Sequence, residues 1–123
     1  MKTNEIRIEI ERPIKDVFEY TLEPQNKSIW CSIITEESVD TEQIGITSIY
    51  RNNLGSFKVS DYERNIFLEL MSLDEKFQCS YSFRKIDDNT TELIYFEAML
   101  DGSDLTEAMD KKYFKKLKEL LEI

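Results

Sequence analysis

Residues 11–30 read ERPIKDVFEYTLEPQNKSIW and hold both prolines and the single tryptophan of a 123-residue chain. Just before them EIRIEI, residues 5–10, alternates strictly. Ile6, Ile8 and Ile10 point one way and Glu5, Arg7 and Glu9 the other, the period of a half-buried strand. Pro13 suits the first turn of a helix, where its missing N–H costs nothing. Ile14, Val17, Phe18 and Thr21 give that helix an inner face. Pro24 then pushes Glu23 out of helical geometry and opens a second short helix that ends near Trp30. The stretch therefore predicts a strand leading into two short helices, bent at Glu23–Pro24.

Downstream the period changes to two. Strands are expected at 33–39, 45–51, 57–62, 66–72, 77–85 and 91–100, separated by turn signals at Asn52-Asn53-Leu54-Gly55, Leu73-Asp74-Glu75-Lys76 and Asp87-Asp88-Asn89. Within FQCSYSFRK, residues 77–85, the residues Phe77, Cys79, Tyr81 and Phe83 share a face. On the last strand Ile94, Phe96, Ala98 and Leu100 are taken as the apolar face, which leaves Glu97 toward solvent. Short turns imply antiparallel neighbours. The C-terminus predicts one long helix over 104–122, capped by Asp104 with Glu107 in capping-box position. Leu105, Met109, Tyr113, Leu117, Leu120 and Leu121 form its stripe.

Composition sets the outer bounds. A chain of this length is most simply one domain spanning 1–123, large enough for a core without staples. An apolar fraction of 41% and a charged fraction of 33% suit a globular protein rather than a disordered one. A net charge of −9 argues against a nucleic-acid groove. The lysines between Lys111 and Lys118 are balanced on the same predicted helix by Asp104, Glu107, Asp110, Glu119 and Glu122, which reads as a solvated face. No apolar run reaches the ~20 residues of a membrane span, and the N-terminus lacks the pattern of a signal peptide, so a cytoplasmic protein is expected. Cys31 and Cys79 are then expected as free thiols. There is no histidine, which excludes Ser-His-Asp and Cys-His nucleophile systems and removes the usual transition-metal ligand. No catalytic residue, metal or cofactor is assigned.

Four segments in order carry a resemblance: IERPIKDVFEYTLEPQNKSIW at 10–30, IGITSIYR at 44–51, VSDYERNIFLEL at 59–70 and IDDNTTELIYFEAML at 86–100. The sequence resembles the START-like, birch-pollen-allergen-like superfamily (SRPBCC), in its polyketide cyclase/dehydrase-like branch. It departs from the pattern at Arg64, where proline is common, and in the missing glycines of the last segment. The resemblance implies an α+β helix-grip fold. A curved antiparallel sheet of about seven strands would wrap around a long C-terminal helix, with two short helices after the first strand. It also implies an apolar cavity between sheet and helix that takes a small hydrophobic molecule. A cyclase or dehydratase and a protein-interaction module of the chaperone-activator type are the alternatives. The chain would act as a monomer or homodimer, without membrane insertion.

The candidate ligand-binding residues are Trp30, Tyr81, Phe83, Phe96, Thr106, Asp110, Tyr113 and Leu117. Tyr81 and Tyr113 carry hydroxyls that need partners wherever they are buried; backbone or a ligand would serve. Trp30 is either a wall of the cavity or a packing anchor for the short helices. Asp110 falls inside the predicted helical stripe beside Thr106, Tyr113 and Leu117. It is either an acid at the cavity mouth or an exposed acid near a helix start, which the helix dipole favours.

Overall fold

The computed structural model describes residues 2–123. Strand β1 (Thr3–Ile10) leads into helices α1 (Ile14–Leu22) and α2 (Pro24–Trp30). Six strands follow: β2 (Glu37–Val39), β3 (Ile49–Asn52), β4 (Gly55–Glu63), β5 (Phe67–Ser72), β6 (Phe77–Asp87) and β7 (Thr90–Met99). Helix α3 (Lys111–Leu121) closes the chain. The strands form one antiparallel sheet in the order β1-β7-β6-β5-β4-β3-β2. This is the α+β helix-grip architecture, with the helices on one face of the sheet. Among the described residues no helix is long and apolar enough to cross a membrane.

The double-proline segment folds as its sequence dictates. Glu23 ends α1 through its N–H to the Glu19 carbonyl, and its extended backbone then serves as N-cap to α2, with Pro24 in the first turn. The buried face of α2 is Pro24, Lys27 and Trp30. Phe114 on α3 packs between Trp30 (ring centroids 5.3 Å apart) and Tyr95 of β7 (5.2 Å). Phe114 and Leu117 are wholly buried, so α3 meets the sheet along Phe114, Leu117 and Leu121. The C-terminal end of α3 is tied to the β1–α1 corner. There Arg12 donates to the Leu121 carbonyl, and Glu122 accepts the Glu11 N–H at 2.7 Å.

Three expectations are corrected. Helix α3 begins at Lys111, not 104, and the residue at its N-cap is Asp110. The backbone at 109 is held elsewhere: the Met109 N–H donates to the Glu97 carboxylate and its carbonyl accepts from the Asn4 amide. Gly102, at φ +80, turns the chain ahead of it. Leu105 therefore lies outside the helix, and Phe114 takes the central place in its inner stripe.

The second correction concerns β7. Thr91, Leu93, Tyr95 and Glu97 face the helices, whereas Ile94, Phe96 and Ala98 lie on the other side of the sheet. The cause is a bulge in β6. Asp87 pairs with Thr90, but beyond the irregularity between Lys85 and Asp87 the register shifts by one residue, placing Phe83 opposite Leu93 and Tyr81 opposite Tyr95. A one-residue slip moves every side chain to the opposite face.

The third correction shortens β2 and β3 at their starts. The backbone of Ile33 and Thr35 bonds to the Asn53 side chain rather than to a strand neighbour. Ser48 accepts the Gly45 N–H in a loop where Thr47 has φ 75.

Candidate binding cavity

The helix face of the sheet is not filled evenly. Core side chains pack tightly under α1 and α3, but toward β3–β5 a cavity of about 370 Å³ remains. Its walls come from the sheet (Tyr50, Leu70, Cys79, Tyr95), from the segment after α2 (Ile33, Ile34) and from Met109. Its mouth lies among exposed groups: Leu54 on the β3–β4 hairpin, Asp74 and Lys76 on the β5–β6 turn, and Thr106 and Glu107 ahead of α3.

Polar groups line the buried end. Lys27 is 7% exposed although it sits on a seven-residue helix. Its Nζ is hydrogen-bonded to the Tyr81 hydroxyl and lies 4.7 Å from the centroids of both the Trp30 and Tyr81 rings. The Trp30 ring offers the ammonium a cation–π attraction. Among the described residues no carboxylate lies within ion-pair distance of Lys27. Tyr81 meets Tyr95 edge-on, with ring centroids 5.1 Å apart.

Glu97 is 2% exposed and is a buried carboxylate with a full set of donors. Its Oε1 accepts from the Tyr95 hydroxyl at 2.9 Å. Its Oε2 accepts from the Asn4 amide at 2.8 Å and from the Met109 N–H at 2.6 Å. Such satisfaction is what makes a buried charge tolerable. Glu37 lines the opposite wall and accepts from the Asn52 amide at 3.4 Å. Burial raises the Glu37 carboxyl above its ordinary range, against the opposing pull of Lys27 and of Asn52.

The weak acids of the cavity hold their protons. Burial pushes the Cys79 thiol up to about 12, and it raises the Tyr81, Tyr95 and Tyr50 phenols above their usual range. Tyr50 donates to the Leu22 carbonyl at 3.0 Å. Cys31, which ends α2, is a buried free thiol like Cys79, and burial raises it as well.

Of the residues singled out in the sequence, Tyr81 and Thr106 line the cavity. Trp30 stands behind Lys27, as the ring beneath its ammonium and as a packing partner of Phe114. Phe83 packs on Phe18 of α1, with ring centroids 5.1 Å apart. Leu117 is solid core. Phe96 lies on the far side of the sheet. Asp110 is exposed and caps α3, accepting the Lys112 N–H at 2.8 Å. Tyr113 is half-buried, with the Lys112 ammonium 5.2 Å from its ring centroid. Sequence reasoning missed Lys27, Glu37, Tyr50, Asn52, Cys79 and Tyr95 as lining residues and turned Glu97 outward. A signal existed for Lys27. It stands three residues before Trp30 and three after Pro24, so on any helix over 24–30 it shares their face.

No protein-family model matches the sequence, and no curated protein matches it. Solved structures match throughout its length. A conserved protein of unknown function from Enterococcus faecalis superposes with TM-score 0.75 at 15% identity, over 98% of this chain and 71% of the other. The Aha1 dimer from Colwellia psychrerythraea gives TM-score 0.69 at 16% identity, over 100% and 98%. An HSP90 activator from Plasmodium falciparum gives 0.67 at 12% identity, over 85% and 77%. At such identities the likeness is one of fold.

Proposed function

We propose that the protein binds a small, mainly apolar molecule in the cavity between the sheet and the segments that follow α2 and precede α3. One observation carries the reading: an open space of about 370 Å³ with Leu70, Ile34, Phe57, Phe77 and Met99 in its walls, a few polar groups at its buried end and charged groups at its mouth. Ligand sites of small molecules have this size and this mixture of apolar wall and few polar contacts. The sequence resemblance to the START-like superfamily supports the same reading. The thiol and the phenols of the cavity are not poised as nucleophiles or bases. A base or nucleophile must shed its proton near neutral pH, and burial moves the thiol of Cys79 and the phenols of Tyr81 and Tyr95 the other way.

The test is binding of an uncharged solvatochromic probe, N-phenyl-1-naphthylamine, to wild type and to Met99→Trp, which fills the space from β7. Wild type should bind with a blue-shifted emission and the variant should not. Equal emission from both would place the probe outside the cavity and remove the reading.

A second reading has its own support. Two structures of like fold are described as Aha1 and as an HSP90 activator, which favours a protein-interaction module of the chaperone-activator type. Under that reading the protein would bind a purified HSP90, and Met99→Trp would leave that binding intact.

A further inference from the structure

We infer that the ligand is an amphipath with an anionic head, a carboxylate in the simplest case, which docks on Lys27 Nζ and the Tyr81 hydroxyl while its apolar body lies along the walls toward the mouth. The inference rests on the cavity being a binding site and names what the site selects.

An ammonium withdrawn from water needs compensation, and it brings three donors. The partners visible at Lys27 are the neutral Tyr81 hydroxyl and the Trp30 ring. Among the described residues there is no counter-charge within ion-pair distance. Of the four carboxylates that line the cavity, Asp74 and Glu107 stand at its exposed mouth, and neither Glu97 nor Glu37 is within ion-pair distance of Lys27. Both oxygens of Glu97 accept hydrogen bonds, from Tyr95, Asn4 and Met109. Glu37 accepts from Asn52 at 3.4 Å, and burial works against its ionised form while the charge of Lys27, beyond ion-pair distance, works for it.

A purely structural lysine would be a poor choice here. Replacing buried charges by apolar groups of similar volume is often neutral or stabilising, and α2 has apolar neighbours on the same face at Pro24 and Trp30. The lysine instead lines a cavity large enough to admit a ligand. An incoming carboxylate would complete the cation's coordination and accept from Tyr81, whose raised affinity for its proton keeps it a donor. Charge-assisted hydrogen bonds of this kind are the strong ones.

Octanoate, octanol and octylamine share a chain and differ in the head, so displacement of N-phenyl-1-naphthylamine by each at neutral pH reads the selection directly. Wild type should prefer octanoate over octanol by about tenfold or more, with octylamine weakest. Lys27→Met should lose the preference for octanoate over octanol. Tyr81→Phe should reduce the preference only in part. Equal displacement by octanoate and octanol in wild type would overturn the inference and leave the binding cavity standing; that comparison needs no variant to fold. Octylphosphate distinguishes a general anion site from a carboxylate site. Stronger displacement by octylphosphate than by octanoate would overturn the carboxylate assignment. Failure of the neutral probe to bind in the cavity at all would remove the cavity reading, and this inference with it.

Discussion

Cys79 on β6 stands directly opposite Glu97 on β7, so a thiol and a carboxylate share the helix-bearing face of the sheet. The carboxylate joins three parts of the chain: Asn4 of β1, Tyr95 of its own strand and the Met109 N–H just before α3. Glu97→Ala leaves those donors without an acceptor and opens a hole. Stability should fall by about 3–5 kcal/mol, as when one side of a buried polar network is removed. Glu97→Gln keeps the volume and one good acceptor but turns an NH₂ group toward existing donors, for a loss of roughly 1–3 kcal/mol. Urea denaturation measures both, and equal losses for the two variants would contradict this account. Amide exchange should also quicken at Met109 in Glu97→Ala, because that N–H loses its partner.

The Lys27–Tyr81 pair predicts an asymmetry. Tyr81→Phe deprives a buried ammonium of its hydroxyl acceptor and should cost about 1–3 kcal/mol. Lys27→Met removes the charge itself and keeps much of the stem's volume but leaves the buried Tyr81 hydroxyl without its partner, so in the absence of ligand it should cost less than Tyr81→Phe without being stabilising. In the double variant the Tyr81→Phe penalty should shrink, since no ammonium remains to be stranded. A double-mutant cycle in urea reads the coupling; a coupling of zero would mean that the contact contributes nothing.

How much of this was legible in the sequence depends on what each residue was competing with. ERPIKDVFEYTLEP could be read because proline geometry is local and no tertiary contact overrides it. The alternation of Phe77, Cys79, Tyr81 and Phe83 was equally plain, since the intervening positions are polar. Strand 90–99 was different. Ile94 and Phe96 on one face compete with Leu93 and Tyr95 on the other, and a regular hairpin through Asp88-Asn89 would have turned Phe96 inward. The single extra residue at the bulge decided the matter, and no pattern in Arg84-Lys85-Ile86-Asp87 announces it. The start of α3 was hidden for a related reason. Asp104 and Glu107 make a good capping signal, yet the partner that fixes residue 109 is Glu97, twelve residues away and on a face assigned to solvent. The cavity's polar end was thus concealed by two long-range events, whereas Lys27 was within reach of simple helical spacing.

Asp110 now has a defined role and a defined prediction. Its side chain accepts the Lys112 N–H, and it stands exposed outside the cavity. Asp110→Ala should lower stability by about 1 kcal/mol through loss of the cap, and Asp110→Asn by a few tenths at most. Neither should change displacement of a cavity-bound probe. A loss of binding in Asp110→Asn at unchanged stability would return the residue to the site.

The two thiols should be silent in the native protein. Cys31 and Cys79 are buried, and burial raises both above the ordinary thiol range. A thiol reagent at pH 8 should therefore react no faster than the protein opens, and both cysteines should react at once in denaturant. Rapid labelling of either thiol under native conditions would show that the region around α2 or β6 is more open than the structure has it.

The same burial sets the response to alkali. Cys31, Cys79, Tyr50, Tyr81 and Tyr95 are all acids whose neutral form the fold favours. In the unfolded chain the thiols lose their protons near pH 8.5 and the phenols near pH 10. In the native protein they keep them to higher pH, the Cys79 thiol to about 12. Over that window the native state binds more protons than the unfolded state, so stability must fall as pH rises. Below pH 8 these groups are protonated in both states and contribute no slope. Each group adds at most about 1.4 kcal/mol of loss per pH unit between its two pKa values. The urea midpoint should accordingly hold between pH 7 and 8, begin to fall near 9 and drop steeply beyond 10 as the phenols join. Cys79→Ala should flatten the fall from about pH 8.5 onward, and Tyr50→Phe only the part beyond about pH 10. A midpoint unchanged from pH 8 to 10.5 would mean that these groups exchange protons with solvent in the native state, and that the interior around β6 and β7 is wet.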